Sequence, residues 1–258
     1  VRRVAEQTLE LTSRDEPIWI RVHAPEHAPS DRSWRCRLEI STWPGAIKYG
    51  YGATPMQALS LSISVLAILL YASPKYKNGE PSLDGRPNGD LGIPAQHLFL
   101  DEAPYPFSTA RVRAHTRLAV VGGAELGAGL LAEEAYAVAG SRRKLRARIY
   151  APRPTKDGRT WACDVSVTAP LGMRGQGLGP SSLQAVVAGL AILSQHLYGS
   201  SLLTWAHEST GLPSERDDHL LLPAVTEFLD VAPYPFRAGT ARGSCGGGCS
   251  TNRQAISG

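Results

Sequence analysis

The chain has 258 residues and a formal net charge of +4, from 27 Lys and Arg against 23 Asp and Glu. With 43% hydrophobic and 19% charged residues it can bury a core, and its length suits two units of roughly 100–150 residues each. So modest and dispersed a charge excludes the clustered basic footprint of a nucleic-acid binder; the charged start Val1-Arg2-Arg3 runs into no apolar signal region, so cytoplasmic residence is the expectation.

In chain order, the first expected element is a strand at Thr8 to Leu11, ended by a turn at Ser13 to Glu16. Ile18 to His23 then alternates as a strand does. A further strand runs from Trp34 to Ile40, with Trp34, Cys36, Leu38 and Ile40 on one face and Arg35, Arg37 and Glu39 on the other. Gly45, Gly50 and Gly52 read as a turn or bulge leading into a helix. That helix opens with a capping box: the Thr54 hydroxyl sits at the N-cap, Pro55 at the first helical position, and Gln57 three residues on reaches back to the cap. Ala58 to Ala72 is the most hydrophobic stretch. It is about 15 residues long and broken by Ser60, Ser62 and Ser64, whereas a membrane span needs about 20 predominantly apolar residues, so a core helix is expected and no membrane contact. Leu91-Gly92-Ile93-Pro94 and Pro104-Tyr105-Pro106-Phe107 close the unit.

The same order then returns. Trp34 and Cys36 recur as Trp161 and Cys163, Thr54 and Gln57 as Ser181 and Gln184, and Leu70-Tyr71 as Leu197-Tyr198. The offset is 127 residues from Trp34 to Trp161, and 129 from Ala103 to Ala232 where Ala-Pro-Tyr-Pro-Phe repeats. An internal repeat governs the whole fold. The expected fold class is α+β, with two pseudo-symmetric repeats, each a small antiparallel sheet packed on one long helix. The units should share a core by packing helices or by continuing one sheet. The boundaries fall at 1–107 for the first repeat, 108–127 for a linker, 128–236 for the second repeat and 237–258 for a flexible Gly- and Cys-rich tail. Arg111, Arg113, His115 and Arg117 of the linker read as a solvated connector.

Residues present in both copies are explained by the shared fold. On that ground Trp34, Cys36, Thr54, Gln57, Trp161, Cys163, Ser181 and Gln184 are assigned structural roles. Gly175, Gly177 and Gly179 precede a helix and could cradle a phosphate. Yet Gly50 and Gly52 match the last two, and Pro180 breaks the dinucleotide spacing. His196, His207 and His219 with Asp217 and Asp218 follow no zinc spacing. His196 reads as a helix-end residue whose cation the dipole favours. No Gly-x-Ser-x-Gly elbow or P-loop is present, and no catalytic residue is assigned.

Cys245 and Cys249 have no counterpart in the first copy. They stand in Gly243-Ser244-Cys245-Gly246-Gly247-Gly248-Cys249-Ser250-Thr251-Asn252, a glycine-rich stretch without apolar periodicity. Two such thiols can close a small loop, hold a soft ion such as Cu(I) or zinc, or undergo covalent modification alongside Ser244, Ser250 and Thr251. No cofactor is expected beyond such an ion on Cys245 and Cys249.

The Trp-x-Cys strand, the Gly-rich stretch, Gln57-Ala58-Leu59 and Leu91-Gly92-Ile93-Pro94 resemble a small bacterial domain family of unknown function, here present twice. The second copy departs from that pattern at Val186 and at Leu220 to Pro223. The tail is similar to the core peptides of ribosomally synthesised, post-translationally modified peptide precursors. That resemblance implies a partner enzyme that modifies Cys, Ser or Thr. The expected function is therefore a non-enzymatic, partner-binding tandem repeat that presents the Cys-Gly-Gly-Gly-Cys peptide for modification or soft-metal ligation. An immunity-type or regulatory binding module with an incidental tail is the alternative, and an enzyme using the groove between repeats comes third.

Overall fold

The computed structural model describes residues 2–11, 17–29, 32–41, 47–71, 73–83, 86–87, 91–93, 129–137 and 144–198. The linker at 108–127 and the tail at 237–258 lie outside them, and with them Ser244, Cys245, Cys249, Ser250, Thr251, His207, Asp217, Asp218 and His219.

The first unit is an antiparallel meander followed by a helix. Its strands are β1 (Arg3–Leu11), β2 (Ile18–His23), the short β3 (Glu26–His27), β4 (Trp34–Ile40) and β5 (Ile47–Gly52), and its helix is α1 (Pro55–Tyr71). β1 pairs β2, β2 and β3 pair one side of β4, and β5 pairs the other. A short α2 (Pro74–Lys77) and the hairpin β6 (Pro81–Leu83) and β7 (Arg86–Pro87) follow, with β6 joined to the end of β1. Period-two alternation drives this sheet: Ile18, Ile20 and Val22 of β2 and Cys36, Leu38 and Ile40 of β4 are buried on one face, with α1 lying on β4 and β5.

The second unit repeats the plan with β8 (Leu130–Ala137), β9 (Lys144–Tyr150), β10 (Arg153–Pro154), β11 (Trp161–Val167), β12 (Met173–Gly179) and α3 (Ser182–Tyr198). Each element stands 127 residues after its counterpart, as Ser182 does from Pro55, to within a residue or so at its ends. Even the irregularities repeat. The register slips between Arg3 and Ala5 in β1 and between Leu130 and Ala132 in β8, a bulge in each first strand.

The fold is thus α+β, two similar units of antiparallel sheet and packed helix. They share one core, in which Ile20, Leu38, Leu59 and Leu66 of the first unit are continuous with Ile149, Val165, Leu190 and Leu193 of the second. The sharing is reciprocal. α1 lies on β4 and β5 and also reaches β8 of the other unit, while α3 lies on β11 and β12 and reaches β1. The first strand of each sheet packs against the neighbour's helix, which completes the layer. None of the described helices is long and apolar enough to cross a membrane.

Candidate functional site

The two cysteines of the body sit on equivalent strands in equivalent surroundings. Cys36 Sγ donates to the His23 carbonyl and Cys163 Sγ to the Tyr150 carbonyl, each at 3.2 Å. Burial pushes the Cys36 thiol up to about 12 and the Cys163 thiol higher still, helped by the neighbouring Asp164 carboxylate. Neither forms a thiolate near neutrality, so neither offers a nucleophile or a metal ligand. Trp34 and Trp161 start β4 and β11 and pack against the core from its rim.

The helix caps are built from the same atoms in both copies. Thr54 Oγ1 accepts from the Gln57 N–H at 3.2 Å and Ser181 Oγ from the Gln184 N–H at 3.1 Å. The Gln57 side chain makes a different bond from the capping box expected of it: its Oε1 accepts from the Ala53 N–H at 3.0 Å, one residue before the cap.

These caps also join the units. The Thr54 hydroxyl donates to Glu134 Oε2 on β8, and the Ser181 hydroxyl donates to Gln7 Oε1 on β1 at 3.3 Å. Gln7 and Glu134 are themselves related by the repeat, so one contact occurs twice, once with an amide and once with an acid. Gln7 Nε2 donates further to the Leu91 carbonyl at 2.7 Å. Ser182 adds a link found in one copy alone, its Oγ accepting from the Glu6 N–H at 2.7 Å and donating to the Glu6 carbonyl at 3.1 Å; Pro55 stands at its place in the first unit. Burial pushes the Glu134 carboxyl above its ordinary value, and the Thr54 hydroxyl and the Ala135 N–H pull partly the other way.

Of the glycines expected to form a turn or bulge, Gly172 does stand in the turn before β12 with φ +61°, Gly45 lies outside the described residues, and the others are strand residues. Gly50 and Gly52 belong to β5, Gly177 and Gly179 to β12. A Cβ on Gly50 would lie 2.2 Å from the Ser62 nitrogen, and one on Gly177 would lie 2.2 Å from the Gly189 nitrogen. Their lack of a side chain lets the helix backbone rest on the strand, a packing role with no phosphate in it.

His196 also differs from expectation. It occupies the last turn of α3, but partial burial pushes its pKa down and opposes the cation that the helix dipole favours. Among the described residues no three His, Cys, Asp or Glu side chains gather where they could hold a metal.

Subtracting what the copies share leaves the outer faces of the two sheets. Inner positions match in kind: Cys36 with Cys163, Leu38 with Val165, Ile40 with Val167 and Gly50 with Gly177. Outer positions have diverged. On the first sheet Trp19, Arg21, Arg35, Arg37, Tyr49 and Tyr51 face outward, where the second has Arg146, Arg148, Ala162, Asp164, Gln176 and Leu178. Strand register sets Arg37 beside Tyr49 and Arg35 beside Tyr51. The Arg21 guanidinium stacks 4.1 Å from the Trp19 ring centre, and that of Arg35 lies 5.0 Å from the Tyr49 ring centre.

Each arginine on this face is countered. Arg35 Nη2 is 2.7 Å from Glu26 Oε1, Arg37 Nη2 is 2.6 Å from Glu39 Oε1, and Glu6 takes both Arg3, at 2.5 Å, and Arg21, at 3.6 Å. Such exposed pairs contribute on the order of 0–1 kcal/mol each to stability, but they hold the guanidinium planes against the rings. The second sheet keeps the Arg21–Glu6 pair as Arg148–Glu133, at 2.6 Å. Arg148, with Arg146, holds the Glu133 carboxyl below its ordinary value. In place of the aromatic stack it has a polar cluster, with Gln176 Nε2 donating to Asp164 Oδ1 at 2.7 Å and Arg153 Nη2 at 3.2 Å from Asp164 Oδ2.

Sequence reasoning missed the aromatic and arginine face. The signal was there in Tyr49 and Tyr51 alternating with Gly50 and Gly52, which has the period of a strand.

The chain belongs to the family of a domain of unknown function, DUF6968, whose model matches it over residues 5–95 and again over 135–214. The two segments fall one on each unit, in keeping with a tandem arrangement. No curated protein and no solved structure matches the chain.

Proposed function

We propose that the protein is a non-enzymatic binding module that takes a protein partner on the outer face of its first sheet. The observation that supports this most is the divergence of the outer faces over matched inner ones. The shared fold accounts for Cys36, Gly50, the Arg21–Glu6 pair and the helix caps, and it leaves Trp19, Arg35 and Tyr49 unaccounted for. Tyr, Trp and Arg are the side chains that anchor protein interfaces: Tyr and Trp bring large area with few rotors to lock, and Arg35 is already held by Glu26. A polyphosphate partner fits poorly, since Glu6, Glu26 and Glu39 already neutralise most of the positive charge on this face.

The test is quantitative capture from the native cell with the full chain as bait. W19A/R35A should lose a defined partner that the wild type and R146A both retain, position 146 being the repeat equivalent of position 19. Identical capture by all three would overturn the reading.

The tail belongs to the same proposal as the segment presented to the partner. Cys245 and Cys249, with Ser244, Ser250 and Thr251, supply the groups for modification or for ligation of a soft ion, and the partner on this reading is a peptide-modifying enzyme. Intact mass of the protein from its native host carries the test. A mass change localised to residues 243–252 is expected; an unaltered mass, with a tail dispensable for activity, would favour an immunity-type or regulatory module.

A further inference from the structure

The edge of the first sheet carries apolar side chains on both of its sides, with Lys48 as the one charge on β5, and we infer that a second copy of the chain pairs there, strand β5 against strand β5. Among the described residues β5 pairs with β4 alone, which leaves its other side without a neighbouring strand. Its outward side chains are Ile47, Tyr49 and Tyr51, with Ile47 46% and Tyr51 52% exposed.

The other side of this edge lies beneath a helix. Gly50 is pressed against Ala58 and Ser62 of α1. One step further round the helix, away from the core residues Leu59, Ile63, Leu66 and Leu70, comes the stripe Leu61, Val65 and Ile68. Leu61 is 38% and Ile68 41% exposed. A strand added to β5 therefore extends the sheet beneath this stripe and covers apolar surface on both of its faces at once.

The occupant follows from self-complementarity. Antiparallel pairing about a twofold axis through Tyr49 sets Ile47 of one copy opposite Tyr51 of the other, Tyr49 opposite itself and Lys48 opposite Gly50. No charge meets its like. The two α1 helices come side by side across the axis and their apolar stripes meet. The exposed side chains bring on the order of 400 Å² per copy, about half of the ~800 Å² per partner in a standard interface. The strand backbone and helix flanks supply the rest.

The second unit explains why assembly stops at two. At the equivalent edge, Arg174 and Gln176 replace Ile47 and Tyr49, while Ala188 replaces Leu61. Two adhesive edges per chain would build an open filament, whereas one closes as a dimer. This dimer edge shares Tyr49 and Tyr51 with the proposed binding face, and the tests separate the two, since the partner test changes Trp19 and Arg35 and leaves β5 untouched.

Sedimentation equilibrium of the full chain at micromolar concentration should give twice the 27.6 kDa chain mass. I47K/Y51K should halve that mass while keeping the circular dichroism of the folded chain, with a midpoint that no longer depends on protein concentration, and L178K on the other edge should leave the dimer intact. Should I47K/Y51K fail to fold, Y49C in a C245S/C249S background carries the test. Mild oxidation should link it into a covalent dimer, and Q176C should stay uncrosslinked. A monomeric wild type, a dimer that survives I47K/Y51K, or equal crosslinking at both positions would overturn the proposal.

Discussion

Replacing Gly177 with alanine should unseat the second long helix. The added Cβ would stand 2.2 Å from the Gly189 nitrogen, 2.6 Å from the Ala185 oxygen and 2.7 Å from the Ala188 carbonyl carbon. All three are backbone atoms of α3 and cannot rotate aside, so the helix must lift from β12 by about an ångström to restore van der Waals distance. That lift loosens Leu183, Val186, Leu190 and Leu193, all fully buried. Overpacking a core costs about 1–3 kcal/mol where side chains can adjust; here they cannot, so about 3–4 kcal/mol is expected. For a chain of this size that lowers Tm by roughly 10 °C. Gly175→Ala is the internal control, because its Cβ meets side-chain ends, Ile192 Cγ2 at 3.0 Å and Val165 Cγ2 at 3.4 Å, and should cost about 1 kcal/mol. Urea and thermal unfolding followed by circular dichroism measure both. Equal stability of the two variants, or G177A within about 0.5 kcal/mol of wild type, would refute the close-packing argument.

Four further outcomes follow from the same contacts. Glu134→Gln installs the amide that its counterpart Gln7 already has. Because the folded-state pKa of Glu134 is raised, the wild type loses stability as pH rises from the unfolded value of about 4.3 through the folded one. The variant should therefore gain on wild type between acid and neutral pH, and a pH-independent difference would contradict the assignment. Ser182→Ala strips both bonds to the Glu6 backbone and should cost about 1–3 kcal/mol in unfolding experiments; Pro55 shows that the position tolerates loss of the hydroxyl when the other unit does not use it. Of the four cysteines, Cys36 and Cys163 should resist a thiol reagent until the protein is denatured, so more than two fast thiols in the native protein would be inconsistent with their burial. Residues 1–107 alone should lack a cooperative melt as a monomer, since Ala5 and Leu9 of β1 lose the cover of α3.

Much of the fold was readable because its inner faces obey simple periods. Cys36, Leu38 and Ile40 alternate with charges, and Thr54-Pro55 announces its helix. β5 shows its period only on the outer face, in Tyr49 and Tyr51, and gives no apolar signal on the inner one. Its inner positions are Lys48, Gly50 and Gly52, since helix backbone fills the space where apolar side chains would normally signal a strand. β1 was seen only from Thr8 onward for a related reason. Its inward Gln7 is polar because it bonds Ser181 and Leu91 across tertiary contacts that local pattern cannot reveal. The candidate face was hidden likewise, as Trp19, Arg21, Arg35 and Tyr49 become neighbours only through strand register. Cys245 and Cys249, which the sequence singled out, lie outside the described residues, and the case for them rests on their chemistry.

The central claim is that the first sheet, and not the second, presents the partner-binding face. A photo-crosslinking amino acid placed at position 19, with position 146 as the matched control, tests it most directly in the native cell. The account predicts a covalent adduct with one defined protein at position 19 and none at 146. Adducts of equal yield at both positions, or at neither, would contradict it.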